Sequence, residues 1–182
     1  MELWDLYDAD GEKTGETMRR GDPIPHKRYH LVVHIAIFSP DGRMLIQQRQ
    51  PFKDGWSNLW DVTVGGSAVA GDDSRAAAMR EVREEIGLTV DLHGVRPKLT
   101  LHTPSCINDW YLLTMDIDPA SLTLQASEVQ AVRWATQEEI QHMIAEGTFI
   151  PYEPGMIALL FHLRNHADTR TRGDDTAAMR AE

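Results

Sequence analysis

A helix predicted over residues 74–86 constrains this chain more than any other feature, because its sides differ in chemistry. Asp73 and Ser74 are candidate N-caps at its start, and Gly87 is placed to end it. At 3.6 residues per turn, one side carries an apolar stripe formed by Met79, Val82 and Ile86. This side is expected to pack against a core and to fix which way the other sides face.

Another side of the same helix carries three glutamates. Glu81 and Glu85 are four residues apart and Glu84 is three residues from Glu81, so the carboxylates share one face. Like charges at this spacing repel one another by a few tenths of a kcal/mol per pair unless a cation neutralises them. A solvated acidic face, with Arg80 and Arg83 as partners, is the ordinary interpretation of such a helix.

The glycines before the helix favour a different interpretation. Gly65 and Gly66 follow a predicted strand, and Gly71 precedes the helix. Glycine lets the backbone approach a ligand closely, and a helix N-terminus favours anions such as phosphate. Carboxylates suit Mg²⁺ or Mn²⁺, which take oxygen ligands and commonly bridge to phosphate oxygens. Together these features favour a site for a metal ion and a phosphate.

The composition sets limits on the class of protein. The chain has 182 residues, 42% hydrophobic and 25% charged, which predicts one domain over residues 1–165. Residues 166–182 are polar and lack periodicity, so they are predicted to form a flexible tail. A net charge of -10 repels long polyanions, so general nucleic-acid binding is not expected.

Neither the start of the chain nor its apolar runs predict membrane targeting. No run reaches the roughly 18 apolar residues of a membrane helix, and residues 1–5 lack the features of a signal peptide. Cys106 is the only cysteine, which excludes an internal disulfide. A cytoplasmic protein without membrane association is expected.

Alternating residues and turn signals predict an α/β fold. An N-terminal β-hairpin and its connector occupy residues 1–25, with strands over residues 3–7 and 13–18. Further strands are predicted over residues 31–38, 43–49, 60–64, 88–92, 98–102, 110–117 and 129–134. A capping box at Thr136 opens a second helix that Gly147 closes, and a third helix is predicted over residues 155–165.

Residues 66–88 carry a specific resemblance. The Nudix hydrolase family has the pattern G-x5-E-x7-R-E-U-x-E-E-x-G-U, where U is a bulky aliphatic residue, and the segment matches every defined position except Asp72, which replaces a glutamate. The resemblance implies an α/β/α sandwich around a mixed β-sheet, with the motif as a loop, a helix and a loop. Asp72 keeps the charge but is one methylene shorter than glutamate.

The resemblance also implies roles for individual residues. Three glutamates would bind Mg²⁺ or Mn²⁺, namely Glu81, Glu84 and Glu85, with Glu81 and Glu85 as the best pair. Arg80 would orient these carboxylates through an ion pair, and the carbonyl of Gly65 or Gly66 would complete the metal shell. The implied reaction is metal-assisted attack of water on a small-molecule diphosphate, such as a nucleoside diphosphate derivative.

Residues outside the helix have weaker assignments. Candidates for a general base are Glu128, Asp109 and Glu153, of which Glu128 occupies a loop position that the family often uses. Arg49 and Lys53 are candidates for binding a phosphate, with a solvated cation as the alternative. Two pairs are also ambiguous: Trp56 and Trp60 either stack on a substrate or complete the core, and His30 and His34 either bind a metal or make ordinary hydrogen bonds.

The hairpin and residues 60–66 also resemble type I isopentenyl-diphosphate isomerases and their hydrolase relatives. Those isomerases use a cysteine just before the motif glycine and a metal-binding histidine just after it. Here Gly65 and Ser67 stand at those places, and Cys106 is far along the sequence. Hydrolysis is therefore favoured over isomerisation. A sensor of phosphorylated ligands is the third alternative, although it predicts loss of the carboxylates. The hairpin is also a candidate homodimer interface.

Overall fold

A computed structural model describes residues 2–166, which form two sheets and three α-helices. The strands are β1 (Leu3–Tyr7), β2 (Lys13–Arg19), β3 (His30–Phe38), β4 (Met44–Arg49), β5 (Trp60–Asp61), β6 (Val64–Ser67), β7 (Leu99–His102), β8 (Cys106–Thr114) and β9 (Val129–Ala135). The helices are α1 (Ser74–Ile86), α2 (Gln137–Ala145) and α3 (Pro154–Leu163). Most of the predicted tail, residues 167–182, lies outside the described residues.

The larger sheet is mixed, as expected. Strand β3 pairs in parallel with β8 along its whole length and antiparallel with β6, while β4 pairs antiparallel with β5 and β9. Strands β3 and β4 meet only at Phe38 and Met44 and then diverge. The buried hydroxyl of Thr63 bridges them, because it accepts from the Ile37 amide at 2.9 Å and donates to the Leu45 carbonyl.

Two apolar clusters cover the two faces of this sheet, which gives the expected α/β/α sandwich. Helix α1 contributes Ala77, Ala78, Val82 and Ile86 to one cluster, and α2 and α3 contribute Ile140, Met143, Ile157, Leu160 and Phe161 to the other. Alternate residues of β3 point to the two clusters, as its period of two requires. No helix within residues 2–166 is long and apolar enough to cross a membrane.

Three of the strand predictions need correction. Residues 88–92 alternate between exposed and buried side chains but form no strand, because they lie beside the sheet without pairing to its edge. The strand predicted over residues 60–64 is split into β5 and β6, because Val62 donates its amide to the Asp61 side chain instead of to a neighbouring strand. The strand predicted over residues 110–117 extends instead from Cys106 to Thr114.

The hairpin and the three helices agree closely with the sequence prediction. The hairpin pairs Leu3–Tyr7 with Lys13–Arg19, and α1 has the predicted bounds. The capping box at Thr136 is present, with both of its hydrogen bonds formed. Local signals were sufficient here because caps and turns use neighbouring residues.

Candidate active site

Helix α1 is fixed at both ends by local contacts. The Asp73 carboxylate accepts from the Ala76 amide at 2.8 Å, and Gly87 adopts a left-handed conformation with φ of 72° while donating to the Arg83 carbonyl. With its apolar stripe against the sheet, the helix turns Glu81 and Glu85 towards the strands, whereas Glu84 stays exposed.

Arg80 connects the helix to the loop before it. Its guanidinium donates to Asp72 at 3.1 Å, Glu81 at 2.8 Å and Glu84 at 3.2 Å, and also to the Ser67 carbonyl at 3.2 Å. The ion pair implied for Arg80 is therefore present. Asp72 reaches Arg80 in spite of its shorter side chain.

Gly66 lies directly against the Glu81 carboxylate. A Cβ atom at this position would overlap the carboxylate carbon and both of its oxygens. The motif glycine is thus needed because Glu81 occupies the space of a side chain. Burial raises the pKa of Glu81, and the neighbouring Arg80 charge acts against this effect.

Glu85 is the most buried of the three glutamates, with 4% of its surface exposed. Gln47 on β4 donates its side-chain amide to Glu85 at 2.9 Å. Burial, and then the negative charge of Glu81, raise the pKa of Glu85 to about 8. Within the described chain, the amide oxygen of Gln47 is buried and has no partner. The site therefore concentrates oxygen atoms whose mutual repulsion a cation would relieve.

The donor set fits a divalent cation, although the side chains do not yet enclose one. No three His, Cys, Asp or Glu side chains in residues 2–166 are arranged to hold a metal ion. Arg80 accounts for part of this, because its guanidinium is bonded to both Glu81 and Glu84. Glu81 lies against Gly66 of β6 and Glu85 against Gln47 of β4, and the orphaned Gln47 oxygen is a further potential donor beside Glu85.

Pockets for small ligands typically measure about 300–1,000 Å³. The cavity beside this site measures 670 Å³. It is lined by Gly65, Gly66 and Ser67 of strand β6, and Gly66 also lies against Glu81. Of the predicted residues outside the glycine pair, His34, Arg49, Trp56 and Glu153 line this cavity.

Lys53 and Glu128 lie together at another side of the site. Their side chains form an ion pair at 2.7 Å, which joins the loop after β4 to the loop before β9. The second loop also contacts α1, since the Gln125 amide donates to the Glu85 carbonyl at 2.9 Å. Lys53 is thus engaged by a carboxylate, and Glu128 is held near the end of the motif helix.

Several other candidates do not join the site. Asp109 accepts from Thr100 and lines a different cavity with Tyr7 and Lys13. Trp60 is partly buried against the α2–α3 cluster, with the Arg133 guanidinium 5.2 Å from its ring centre. It therefore completes the core, whereas Trp56 is 54% exposed.

The two histidines on β3 make separate hydrogen bonds. His30 Nε2 lies 3.0 Å from Cys106 Sγ, and burial lowers the pKa of His30 to about 4. His34 Nε2 lies 3.2 Å from Asn108 Oδ1, and its ring stacks on Trp110. This agrees with the ordinary interpretation of both residues and gives no support to a shared metal site.

The N-terminal hairpin braces the loop that leads into α1. Ala70 donates its amide to the Leu3 carbonyl at 2.7 Å, and Gly71 donates to the Asp5 carboxylate at 2.9 Å. Lys13 donates to the Asp72 carbonyl at 2.9 Å. This positioning role of the hairpin is not apparent from the sequence.

Sequence reasoning also missed Gln47 and Asp61. Gln47 is a polar residue at an inward position of an apolar strand, and this is the signal that could have revealed it. Asp61 is a buried acid in the two-residue strand β5, opposite Gln47. Neither residue belongs to the glycine-glutamate motif.

The fold is an α/β/α sandwich. Its site is defined by a helix whose carboxylates lie against a glycine-containing strand, next to a cavity of ligand size. The profile of the NUDIX domain matches residues 28–154. The chain belongs to the Nudix hydrolase family, whose members generally use divalent metal cations.

The similar proteins agree with this assignment. An uncharacterised Nudix hydrolase of Listeria innocua is 43% identical over 165 residues, which cover 91% of this chain and 96% of that protein. Nudix hydrolase 3 of Arabidopsis thaliana is 32% identical over 84% of this chain, but over only 22% of its own length. The crystal structure of DR0079 from Deinococcus radiodurans has a TM-score of 0.71 at 25% identity, covering 89% of this chain and 99% of that one.

Proposed function

We propose that this enzyme uses Mg²⁺ or Mn²⁺ to hydrolyse the diphosphate linkage of a nucleoside diphosphate derivative or a similar organic diphosphate. The observation that carries the proposal is the pair of inward-facing glutamates, Glu81 and Glu85, next to Gly66 and the 670 Å³ cavity. Placing a buried carboxylate, Glu85, near a partly buried one, Glu81, is costly unless a cation accompanies them. This pair therefore supports a metal site better than a structural role.

Some residues of the motif would bind the ion, and others would position these ligands. Glu81 and Glu85 would be its main ligands, with Glu84 and the carbonyl of Gly65 or Gly66 as further donors. A bound divalent cation would neutralise phosphate oxygens and lower the pKa of bound water. Arg80 fixes the orientation of Glu81, and Gln47 fixes that of Glu85.

Glu128 is our proposed general base for the attacking water. Lys53 restrains its carboxylate at 2.7 Å, and the negative charge of Glu128 contributes to the raised pKa of Glu85. Glu128 therefore lies within electrostatic range of the proposed metal ligands, which is where a base for a metal-associated water is needed. Glu153, on the cavity wall, is the alternative.

Arg49 is the proposed phosphate-binding cation. It lines the cavity and donates to the Gly55 carbonyl at 3.2 Å, which leaves the terminal nitrogens of its guanidinium for an anion. Lys53 would act on phosphate only indirectly, because Glu128 already neutralises it.

Hydrolysis fits the site better than the isomerase chemistry of the branch that the hairpin resembles. A Cβ atom at residue 65 would lie 3.2 Å from His34 Nδ1, so the place of the isomerase cysteine is tightly packed here. Cys106 contacts His30 instead. His30 and His34 are four residues apart along β3, which corresponds to about 13 Å between their backbones. A purely sensory role is disfavoured because all three motif glutamates are present.

Phosphorus NMR on the purified protein tests the proposal. With Mg²⁺ and a panel of diphosphates that includes isopentenyl diphosphate, we expect monophosphate or orthophosphate to appear from one class of compound. E85Q and E81Q should each lower the rate by at least a hundredfold with an unchanged circular dichroism spectrum.

E138Q is the matched control, because Glu138 is exposed in the first turn of α2. It should retain the full rate. An unchanged rate of hydrolysis in both E85Q and E81Q would exclude the proposed metal site. If no compound of the panel gives a phosphate product, hydrolysis of these substrates is excluded.

The cytoplasmic location, the homodimer and the absence of general nucleic-acid binding stay predictions from the sequence.

A further inference from the structure

The cavity beside the glutamates contains one buried acid that the proposed hydrolysis does not use. Asp61 lines the cavity and is 7% exposed. It lies opposite Gln47 in the β4–β5 ladder, and Gln47 in turn donates to Glu85. Asp61 is therefore close to the proposed metal site and lines the cavity beside it.

Both hydrogen bonds to the Asp61 carboxylate reach the same oxygen. Tyr152 donates its hydroxyl to Oδ1 at 2.7 Å, and the Val62 amide donates to Oδ1 at 2.7 Å. Among the described residues, Oδ2 has no hydrogen-bond partner. One oxygen thus fixes the side chain in place, and the other remains available to a ligand.

The rest of the wall combines apolar, aromatic and polar side chains. Val32, Leu101, Ile150 and Met156 are its apolar residues, and the half-exposed Trp56 contributes an aromatic ring. His34, Thr103 and Asn108 are among its polar residues. A flat ring with polar atoms at its edge matches a wall that offers an aromatic ring, apolar side chains and the fixed acceptor of Asp61. A prenyl chain would leave Oδ2 desolvated and unpaired.

We propose that Asp61 determines substrate specificity by accepting a hydrogen bond through Oδ2 from the exocyclic amino group of a nucleobase. This inference rests on the proposed function, since it assigns the cavity to the group that the diphosphate carries. It selects amino-bearing bases, such as cytosine and adenine, over their oxo counterparts, uracil and hypoxanthine.

The substitution D61N separates this role from a structural one. Asparagine keeps an oxygen that accepts from Tyr152 and Val62, while an amide NH₂ group replaces Oδ2. The tether is therefore retained, but the free atom changes from an acceptor to a donor. D116N makes the same chemical change at an exposed position outside the cavity and serves as the matched control.

Binding of nucleoside monophosphates by isothermal calorimetry provides the test without turnover. For the wild type, we expect CMP and AMP to bind at least tenfold more tightly than UMP and IMP, with ribose 5-phosphate weaker than all four. D61N should bring the amino-to-oxo ratio to one or below, whereas D116N should keep the wild-type ratio.

Equal binding of the amino and oxo nucleotides by the wild type would overturn the proposal, and this measurement does not depend on the folding of a variant. So would a D61N protein that weakens all four ligands by the same factor, because that result describes a structural tether. Base selectivity in a protein that hydrolyses no diphosphate would refute the proposed function alone, and hydrolysis without base selectivity would refute this inference alone.

Discussion

At the scale of single residues, Glu85 shows how an unfavourable burial can serve a site. Its carboxyl is buried beside Glu81, and its pKa rises to about 8 from the usual value of 4.5. A carboxyl with a raised folded-state pKa prefers to be protonated in the native state. In the absence of metal, the free energy of unfolding therefore falls as the pH rises from about 4.5 to about 8, because the carboxyl ionises first in the unfolded state.

We predict that E85Q stabilises the metal-free protein at pH 8 by about 4–5 kcal/mol, since the rise in pKa from 4.5 to about 8 corresponds to about 1.4 kcal/mol per unit. The difference should largely vanish near pH 3.5, where Glu85 is mostly protonated in both states. A glutamine can also donate to the buried amide oxygen of Gln47. Urea unfolding in EDTA at the two pH values measures the effect.

The control for this measurement is again E138Q, which should match the wild type at both pH values. A stability of E85Q at pH 8 equal to or below that of the wild type would contradict the raised pKa of Glu85.

Gly66 gives a second prediction at this scale. The methyl group of G66A would overlap the Glu81 carboxylate, which can swing away because it is the end of a flexible side chain. The fold should survive, but Mg²⁺-dependent kcat/KM should fall at least tenfold. G155A, where a Cβ atom meets open space, should keep full activity. A fully active G66A would show that the position of Glu81 is unimportant.

At the scale of elements, α1 depends on its caps and on the hairpin that braces its entry loop. D73A removes the N-cap bond to the Ala76 amide and should lower the free energy of unfolding by about 1 kcal/mol. D73N keeps a capping oxygen and should lose less than half as much. Chemical denaturation of both variants measures the difference, and equal losses would show that the cap bond is not responsible.

At the scale of the whole molecule, metal binding and stability are linked. A ligand at 100 times its Kd stabilises the folded state by about 2.7 kcal/mol, which corresponds to roughly 5–10 °C in Tm for a chain of this size. We expect Mg²⁺ to raise the Tm of the wild type by that amount and EDTA to reverse it. The double variant E81Q/E85Q should show no rise, and KCl of equal ionic strength is the control for screening. An equal Mg²⁺ shift in the double variant would place the ion elsewhere.

Local signals account for the parts of the fold that were predicted well. The hairpin, α1 and the capping box of α2 use contacts between residues close in sequence, so spacing alone is sufficient. Residues 88–92 were predicted incorrectly as a strand. Their alternation of apolar and polar residues indicates only that one side of the segment is buried, whereas a strand also requires hydrogen bonds to a neighbouring strand.

The motif helix, its three glutamates and the glycine before it can be predicted from the sequence alone, because these residues lie within 23 positions and the helix follows the helical period. Which of the glutamates are buried, and what they contact, depends on the tertiary structure. Gln47 reaches Glu85 across 38 residues, Lys53 reaches Glu128 across 75, and Tyr152 reaches Asp61 across 91. Such contacts depend on how strands and loops pack, and that packing follows from burial of the whole chain rather than from any local pattern.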